Sequence, residues 1–344
     1  MTRVSQFDYD LPAGLIAQRP LPRRDDSRMM IVRRDDGRIE HGRFKDLAEI
    51  LRAGEVLVLN DTRVIPAKIW GWRDRARVEF LFSRQREPGV WEVLCRPAKR
   101  VRSGDTVRFA PGFEARVVEA GAEGRRLLRF TSPDVLARLK NIGYAPLPPY
   151  IKRPKEDAGR RREDLERYQT VFARRDGAIA APTAGLHFTP ETLAALTGRG
   201  VDIVTVTLEV GLATFEPVRV ETVEEHRMLE ERYAIIAGAA RRITTAKERG
   251  TPVTAVGTTV VRTLESAWQD GELRPGTRAT DLFIYPGYAF QVVDRLLTNF
   301  HLPRSTLLML VSAFVGPDLI RRVYEEAVRE RYRFYSYGDC MLIL

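Results

Sequence analysis

The feature that most limits the possible folds is a block of short alternating segments set inside a chain of different texture. Between Val64 and Tyr150 run Arg77–Phe82, Val90–Leu94, Thr106–Phe109, Phe113–Val118 and Arg126–Phe130, each rich in β-branched and aromatic residues. Glu87-Pro-Gly89, Ser103-Gly-Asp105 and Gly121-Ala-Glu-Gly124 separate them as turns. No helical period falls between successive strands. Parallel pairing needs such crossovers, so the block predicts a small antiparallel barrel or sandwich of five or six strands.

On either side the pattern is α/β. Asp202–Val210, Pro252–Val256 and Asp281–Tyr285 read as buried strands and alternate with helical stretches at Glu191–Thr197, Ala234–Arg249 and Gly316–Arg331. Thr189 is a suitable N-cap with Pro190 in the first turn. Glu55–Leu59 has the same buried-strand character. The expected fold is therefore an α/β main domain, residues 1–63 plus 151–344, interrupted by an inserted antiparallel β-barrel at 64–150. Pro146–Pro154 reads as a stiff return linker and Arg160-Arg-Arg162 as a mobile loop.

Charge singles out the same insert. The chain carries 56 Lys plus Arg against 46 Asp plus Glu, a net +10. The insert holds 17 of the cations and nine of the acids, so +8 of that excess lies there. Arg96-Pro-Ala-Lys-Arg-Val-Arg102 is its densest part. Two explanations stand at this point: a charged rim that resists edge pairing, or a footprint for the RNA backbone.

Other classes are excluded. Cys95 and Cys340 are the only cysteines, which rules out a disulfide framework or a Cys-rich zinc site and suits a reducing cytoplasm. The longest apolar run, Leu307–Val315, is too short for a membrane span, and the N-terminus lacks a signal-peptide pattern. Four histidines show no metal-ligand spacing, and GxSxG, HExxH and GxGxxG are absent. A cytoplasmic protein without metal or membrane partner is expected.

Four segments combine glycine, hydroxyl and polar residues at strand ends, where open α/β sheets bind ligands. They are Ala180–Thr189, with Thr183, Gly185 and His187; Thr254–Glu265, with Gly257, Thr258, Thr259 and Arg262; Tyr285 to Thr306, with Asn299 and His301; and Arg333–Asp339. Gly257-Thr-Thr259 closes a strand and opens a helix, which aims free N–H groups at an oxygen or anion. For each segment a purely structural role is also open, and for His187 beside Phe188 it is the commoner one.

The same segments resemble one family closely, the S-adenosylmethionine:tRNA ribosyltransferase-isomerases of queuosine biosynthesis. The blocks that carry the resemblance are Phe7–Pro12 with Leu15–Gln18, Asn60–Pro66, Pro146–Ile151, Ala180–Phe188, Ala255–Thr259, Tyr285–Gly287, Thr298–Pro303 and Tyr335–Asp339. The resemblance implies that the ribosyl part of S-adenosylmethionine is transferred and isomerised onto 7-aminomethyl-7-deazaguanine at the wobble position of tRNA. Epoxyqueuosine forms while adenine and methionine leave. S-adenosylmethionine is then a consumed cosubstrate, with no permanently bound cofactor, and the protein is expected to work as a monomer.

That chemistry requires a base beside the sulfonium, for which His187 leads, His301 follows and Glu209 is a further candidate. Asn299, Asp339 or Tyr285 is expected to assist adenine departure. Thr183, Gly185, Gly257, Thr258, Thr259 and Arg262 are expected around the cosubstrate, the last as a fork for its carboxylate. Arg63, Arg96, Lys99, Arg100 and Arg102 are expected on tRNA. Three positions depart from the family pattern: Glu209 and Leu229 stand where histidine is expected, and Ala213 where glycine is. The competing expectation is a noncatalytic RNA-binding translation accessory protein with a nucleoside-sensing pocket.

Overall fold

The computed structural model describes residues 1–153, 158–211 and 218–344. Ala213 lies outside the described residues. The main sheet has nine strands in the order Gly276–Thr280, Glu231–Ile235, Asp202–Leu208, Val56–Asn60, Val253–Val256, Arg295–Asn299, Cys340–Ile343, Arg28–Val32 and Ile39–Arg43. The four from Asp202–Leu208 to Arg295–Asn299 run parallel. Val56–Asn60 and Val253–Val256 are buried at every residue, as central parallel strands covered on both faces must be. Asn60 ties two of them together: its amide donates to Leu208 O at 3.1 Å while its oxygen accepts from Leu208 N at 3.0 Å.

Six strands close into the antiparallel barrel, in the order Arg125–Phe130, Val90–Arg96, Ala76–Glu87, Lys68–Arg73, Thr106–Ala110 and Phe113–Ala120. The α/β architecture with an inserted barrel is thus the observed fold. Inward residues alternate along each strand, and Phe82, Phe109, Phe113 and Phe130 stack through the lumen with centroids 5.0–5.8 Å apart. Lys68–Arg73 escapes the sequence reading because its large side chains, Trp70 and Trp72, lie on the outer side, while Gly71 is inward. A Cβ there would meet Val107 Cγ1 at 2.7 Å. The chain enters and leaves the barrel side by side: Tyr144 N donates to Lys68 O at 2.7 Å and Lys68 N to Tyr144 O at 3.2 Å.

Three local expectations need correction. Arg160–Arg162 is not a loop but part of the helix Ala158–Arg167. Arg161 in it donates to the carbonyls of Gly143, Lys140 and Asn141 at the end of the Val135–Ile142 helix, at 2.7, 3.1 and 2.8 Å. The strand expected at Asp281–Tyr285 is instead Gly276–Thr280. The chain leaves the sheet there because side chains take the backbone of Leu282: Arg262 Nε donates to its carbonyl at 2.9 Å and Thr280 Oγ1 accepts its N–H at 3.0 Å. The helix expected from Ala234 begins at Ala237, since Glu231–Ile235 pairs as a strand on both sides. Thr189 caps the Pro190–Gly198 helix as expected, accepting from Thr192 N at 3.1 Å.

Candidate active site

A cavity of about 440 Å³ opens beyond the carboxyl ends of the parallel strands. Two helices point their N-termini into it. One is Thr258–Ala267, entered through Gly257 at φ +88°, a left-handed angle that favours glycine. The other is Thr306–Val315, capped by Ser305, whose hydroxyl accepts from Leu308 N at 3.2 Å. Both helix dipoles place positive potential on the same space. Tyr150, Tyr168 and Tyr335 line it with aromatic surface, and the Tyr150 and Tyr335 rings sit 4.7 Å apart.

Of the residues singled out in the sequence, Thr183, Gly257, Thr258, Thr259, Arg262, Asn299 and His301 meet on this cavity. His301 is buried, its Nε2 is 2.9 Å from Thr298 Oγ1, and burial pushes its pKa down to about 3. It is neutral at physiological pH, and the burial that keeps it neutral also weakens it as a base.

Asn299 and His187 form a unit behind the wall. Asn299 Nδ2 faces the carbonyls of Tyr335 at 3.0 Å and Asp339 at 3.4 Å, which require a donor and fix the amide orientation. The same nitrogen is 3.2 Å from His187 Nε2, so that ring nitrogen accepts, and the ring proton lies on Nδ1, 2.7 Å from Ser27 Oγ. His187 is off the large cavity, fully engaged, and driven by burial to a pKa of about 3. The leading base expected from sequence is thus placed off the cavity, between Ser27 and Asn299. Asn299 Oδ1 is buried and has no hydrogen-bond partner among the described residues.

Arg262 also differs from expectation. Its guanidinium pairs with Glu231 and donates to Leu282 O at 2.9 Å and Thr280 O at 3.4 Å. Both charges of the pair are buried and both residues line the cavity, so the cation is already neutralised. Glu231 was not singled out in the sequence. The signal was present: in Glu231–Ile235 every second residue is buried, which puts the acid on the same face as Tyr233 and Ile235 and obliges it to find a cation.

The remaining candidates lie away from the cavity. Asp339 spends its carboxylate on Arg28 N at 2.9 Å and Arg333 N at 2.8 Å, and burial raises its pKa. Tyr285 packs on Phe283 at 5.1 Å. Gly185 is a close-approach position, where a Cβ would meet Phe172 Cζ at 2.8 Å. Glu209 follows the strand Asp202–Leu208, bonded through its N–H to Arg232 O at 2.9 Å, and its side chain lies against Gly177. Leu229 is half-buried, three residues before Arg232 at the same end of that ladder.

On the barrel, Arg96, Lys99, Arg100 and Arg102 are exposed. The buried Arg126 fixes their loop by donating to Ala98 O at 2.8 Å, Val101 O at 2.8 Å and Gly121 O at 2.9 Å. The neighbouring Glu123 pairs at 2.9 Å with Arg219, next to the cavity-lining Val218, which sets the basic loop on the cavity's side. Arg63 is exposed and donates to Ala173 O at 2.7 Å.

A sequence model described as queuosine biosynthesis protein matches residues 4–343. The chain belongs to this family. Members from Moorella thermoacetica and Desulforamulus reducens, each named S-adenosylmethionine:tRNA ribosyltransferase-isomerase, are 50% identical to it over 99% of this chain and 100% of their own. The crystal structure of the S-adenosylmethionine tRNA ribosyltransferase from Thermotoga maritima, another relative, is 38% identical with a TM-score of 0.57, covering 99% of this chain and 100% of that one. Among the described residues no group of acids, histidines or cysteines is placed to hold a metal ion, and no helix is long and apolar enough to cross a membrane.

Proposed function

We propose that this chain transfers and isomerises the ribosyl part of S-adenosylmethionine onto 7-aminomethyl-7-deazaguanine at the wobble position of tRNA, giving epoxyqueuosine and releasing adenine and methionine. The observation that carries the reading is the 50% identity, over 99% of this chain, to enzymes bearing that activity as their name. It acts in the cytoplasm, as a monomer, consuming S-adenosylmethionine without a permanently bound cofactor. Residues 1–63 and 151–344 form the catalytic unit, and 64–150 the unit that meets tRNA.

The cavity supports specific roles. The methionine carboxylate is received by the N–H groups of Thr258, Thr259 and Thr306, because Arg262 is occupied by Glu231 and the Gly257 N–H by Leu297 O. The sulfonium lies against the rings of Tyr150 and Tyr335, an attraction worth about 0.5–2 kcal/mol. His301, an imidazole on the cavity, moves the proton beside the sulfonium. Asn299 lines the cavity and, through its amide bonds to the Tyr335 and Asp339 carbonyls, holds that wall in place around the nucleoside. Arg63, Arg96, Lys99, Arg100 and Arg102 contact tRNA phosphates.

The test is incubation of the purified protein with S-adenosylmethionine and tRNA carrying 7-aminomethyl-7-deazaguanine. Free adenine is followed by chromatography and the nucleoside by mass spectrometry. Both products, each dependent on both substrates, are expected. tRNA binding without adenine release would overturn the reading.

A further inference from the structure

A second groove, of about 300 Å³, lies where the barrel joins the α/β part, and it shares Pro148 and Pro149 with the catalytic cavity. Its barrel wall is Lys68 and Trp70 on the outer side of Lys68–Arg73, and Trp72 continues the same row beyond the groove. Along that strand Ile69 and Gly71 turn inward, so Lys68, Trp70 and Trp72 form one outward row. Large indoles on the outside of a small barrel leave apolar area in water, and Trp72 is 43% exposed.

The row is built with cations. The guanidinium of Arg77, cross-strand from Trp72, lies 5.3 Å from the Trp70 ring and 5.7 Å from the Trp72 ring. Lys68 Nζ is 5.4 Å from the Trp70 ring and also 3.0 Å from Glu79. On the other wall Tyr144 meets Trp70 edge to face at 5.0 Å, and the exposed Lys152 lies beyond it. The Lys68–Tyr144 backbone bridge holds the two walls at fixed separation.

We propose that this groove is a stacking track for single-stranded RNA, and that the nucleotides flanking the reacting base leave the cavity over Pro148–Pro149 and stack on Trp70 and Trp72. The inference rests on the proposed reaction, which needs one base inside the cavity and its neighbours outside. Aromatic faces interleaved with cations are what an unpaired strand requires: the rings take bases of any identity and the charges follow the phosphates. Continuity with the cavity and positive charge select RNA over an apolar protein surface.

The test compares the wild type with Trp70→Ala/Trp72→Ala and Trp70→Phe/Trp72→Phe, using a tRNA anticodon stem-loop that carries 7-aminomethyl-7-deazaguanine. The alanine pair should raise the Kd and KM for RNA about tenfold per lost stack. Its kcat at saturating RNA and its Kd for S-adenosylmethionine should stay within twofold, and the phenylalanine pair should recover most of the RNA affinity. The slope of log Kd against log salt should not change, because no cation is removed. If the alanine pair lowers the melting temperature, Trp72→Leu at the exposed position reads the same Kd. A folded alanine or leucine variant with wild-type RNA affinity overturns the track and leaves the reaction standing. A wild-type protein that neither binds the stem-loop nor releases adenine overturns both.

Discussion

Replacing Glu231 by glutamine tests whether the cation in the cavity wall belongs to the fold or to the substrate. Arg262 and Glu231 are 5% and 4% exposed, and among the described residues the guanidinium reaches no other acid, only the carbonyls of Thr280 and Leu282. Removing one partner of a buried pair leaves the other charge uncompensated, at a cost of about 3–5 kcal/mol. For 344 residues the unfolding entropy is roughly 0.7 kcal/mol/K, so the melting temperature should fall by about 4–7 °C. Arg262→Met should cost a similar amount. The double variant Glu231→Gln/Arg262→Met should cost less than the sum by at least ~2 kcal/mol, because neither charge is then left alone. Calorimetry of the four proteins gives the cycle, and adenine release gives KM for S-adenosylmethionine. An Arg262→Met variant that melts like the wild type but has a KM raised a hundredfold would refute this account and return Arg262 to the methionine carboxylate.

The other expectations concern the two buried histidines and the barrel loop. His301→Gln should lower kcat by about 10²–10⁴ while preserving the fold, and adenine release at saturating substrates measures it; wild-type turnover would remove His301 from the chemistry. His187 and His301 both have pKa values near 3 in the folded protein against 6.5 in the unfolded chain. Between those values the unfolded chain binds more protons, so stability is complete above about pH 6.5 and is lost as pH falls, by about 1.4 kcal/mol per pH unit for each histidine. His187→Gln should flatten the fall in melting temperature between pH 6.5 and 4 relative to the wild type; parallel curves would contradict the burial argument. Arg126→Met should weaken tRNA binding severalfold although Arg126 itself is buried, since the loop bearing Lys99, Arg100 and Arg102 loses its carbonyl anchor. Filter binding at fixed salt reads this, and unchanged affinity would show that the loop makes no phosphate contact.

The barrel was legible in the sequence because its lumen is filled by every second residue, and alternation survives any register. Lys68–Arg73 was not, because its bulky residues face outward and a glycine faces in, which inverts the usual signal. The strand-end segments were legible for a topological reason: glycine and hydroxyl residues that follow a buried parallel strand fall at one edge of the sheet. What the sequence could not supply was which polar atoms there remain free. His187, Asp339 and Arg262 each have the chemistry for a catalytic or binding role, yet their bonding capacity is taken up by Ser27 and Asn299, by two backbone N–H groups, and by Glu231. Most of those partners are distant in sequence, 160 residues in the case of Ser27 and His187 and 311 in that of Arg28 and Asp339. Asn299 shows the converse. Its amide nitrogen is claimed by two carbonyls and by a histidine, and the consequence is an oxygen that no group among the described residues satisfies. A buried acceptor left unpaired costs about 1–3 kcal/mol. Asn299→Asp puts a charge on this enclosed oxygen and takes the amide donor away from the Tyr335 and Asp339 carbonyls, so the melting temperature should fall by several degrees, and a wild-type value in calorimetry would refute the reasoning.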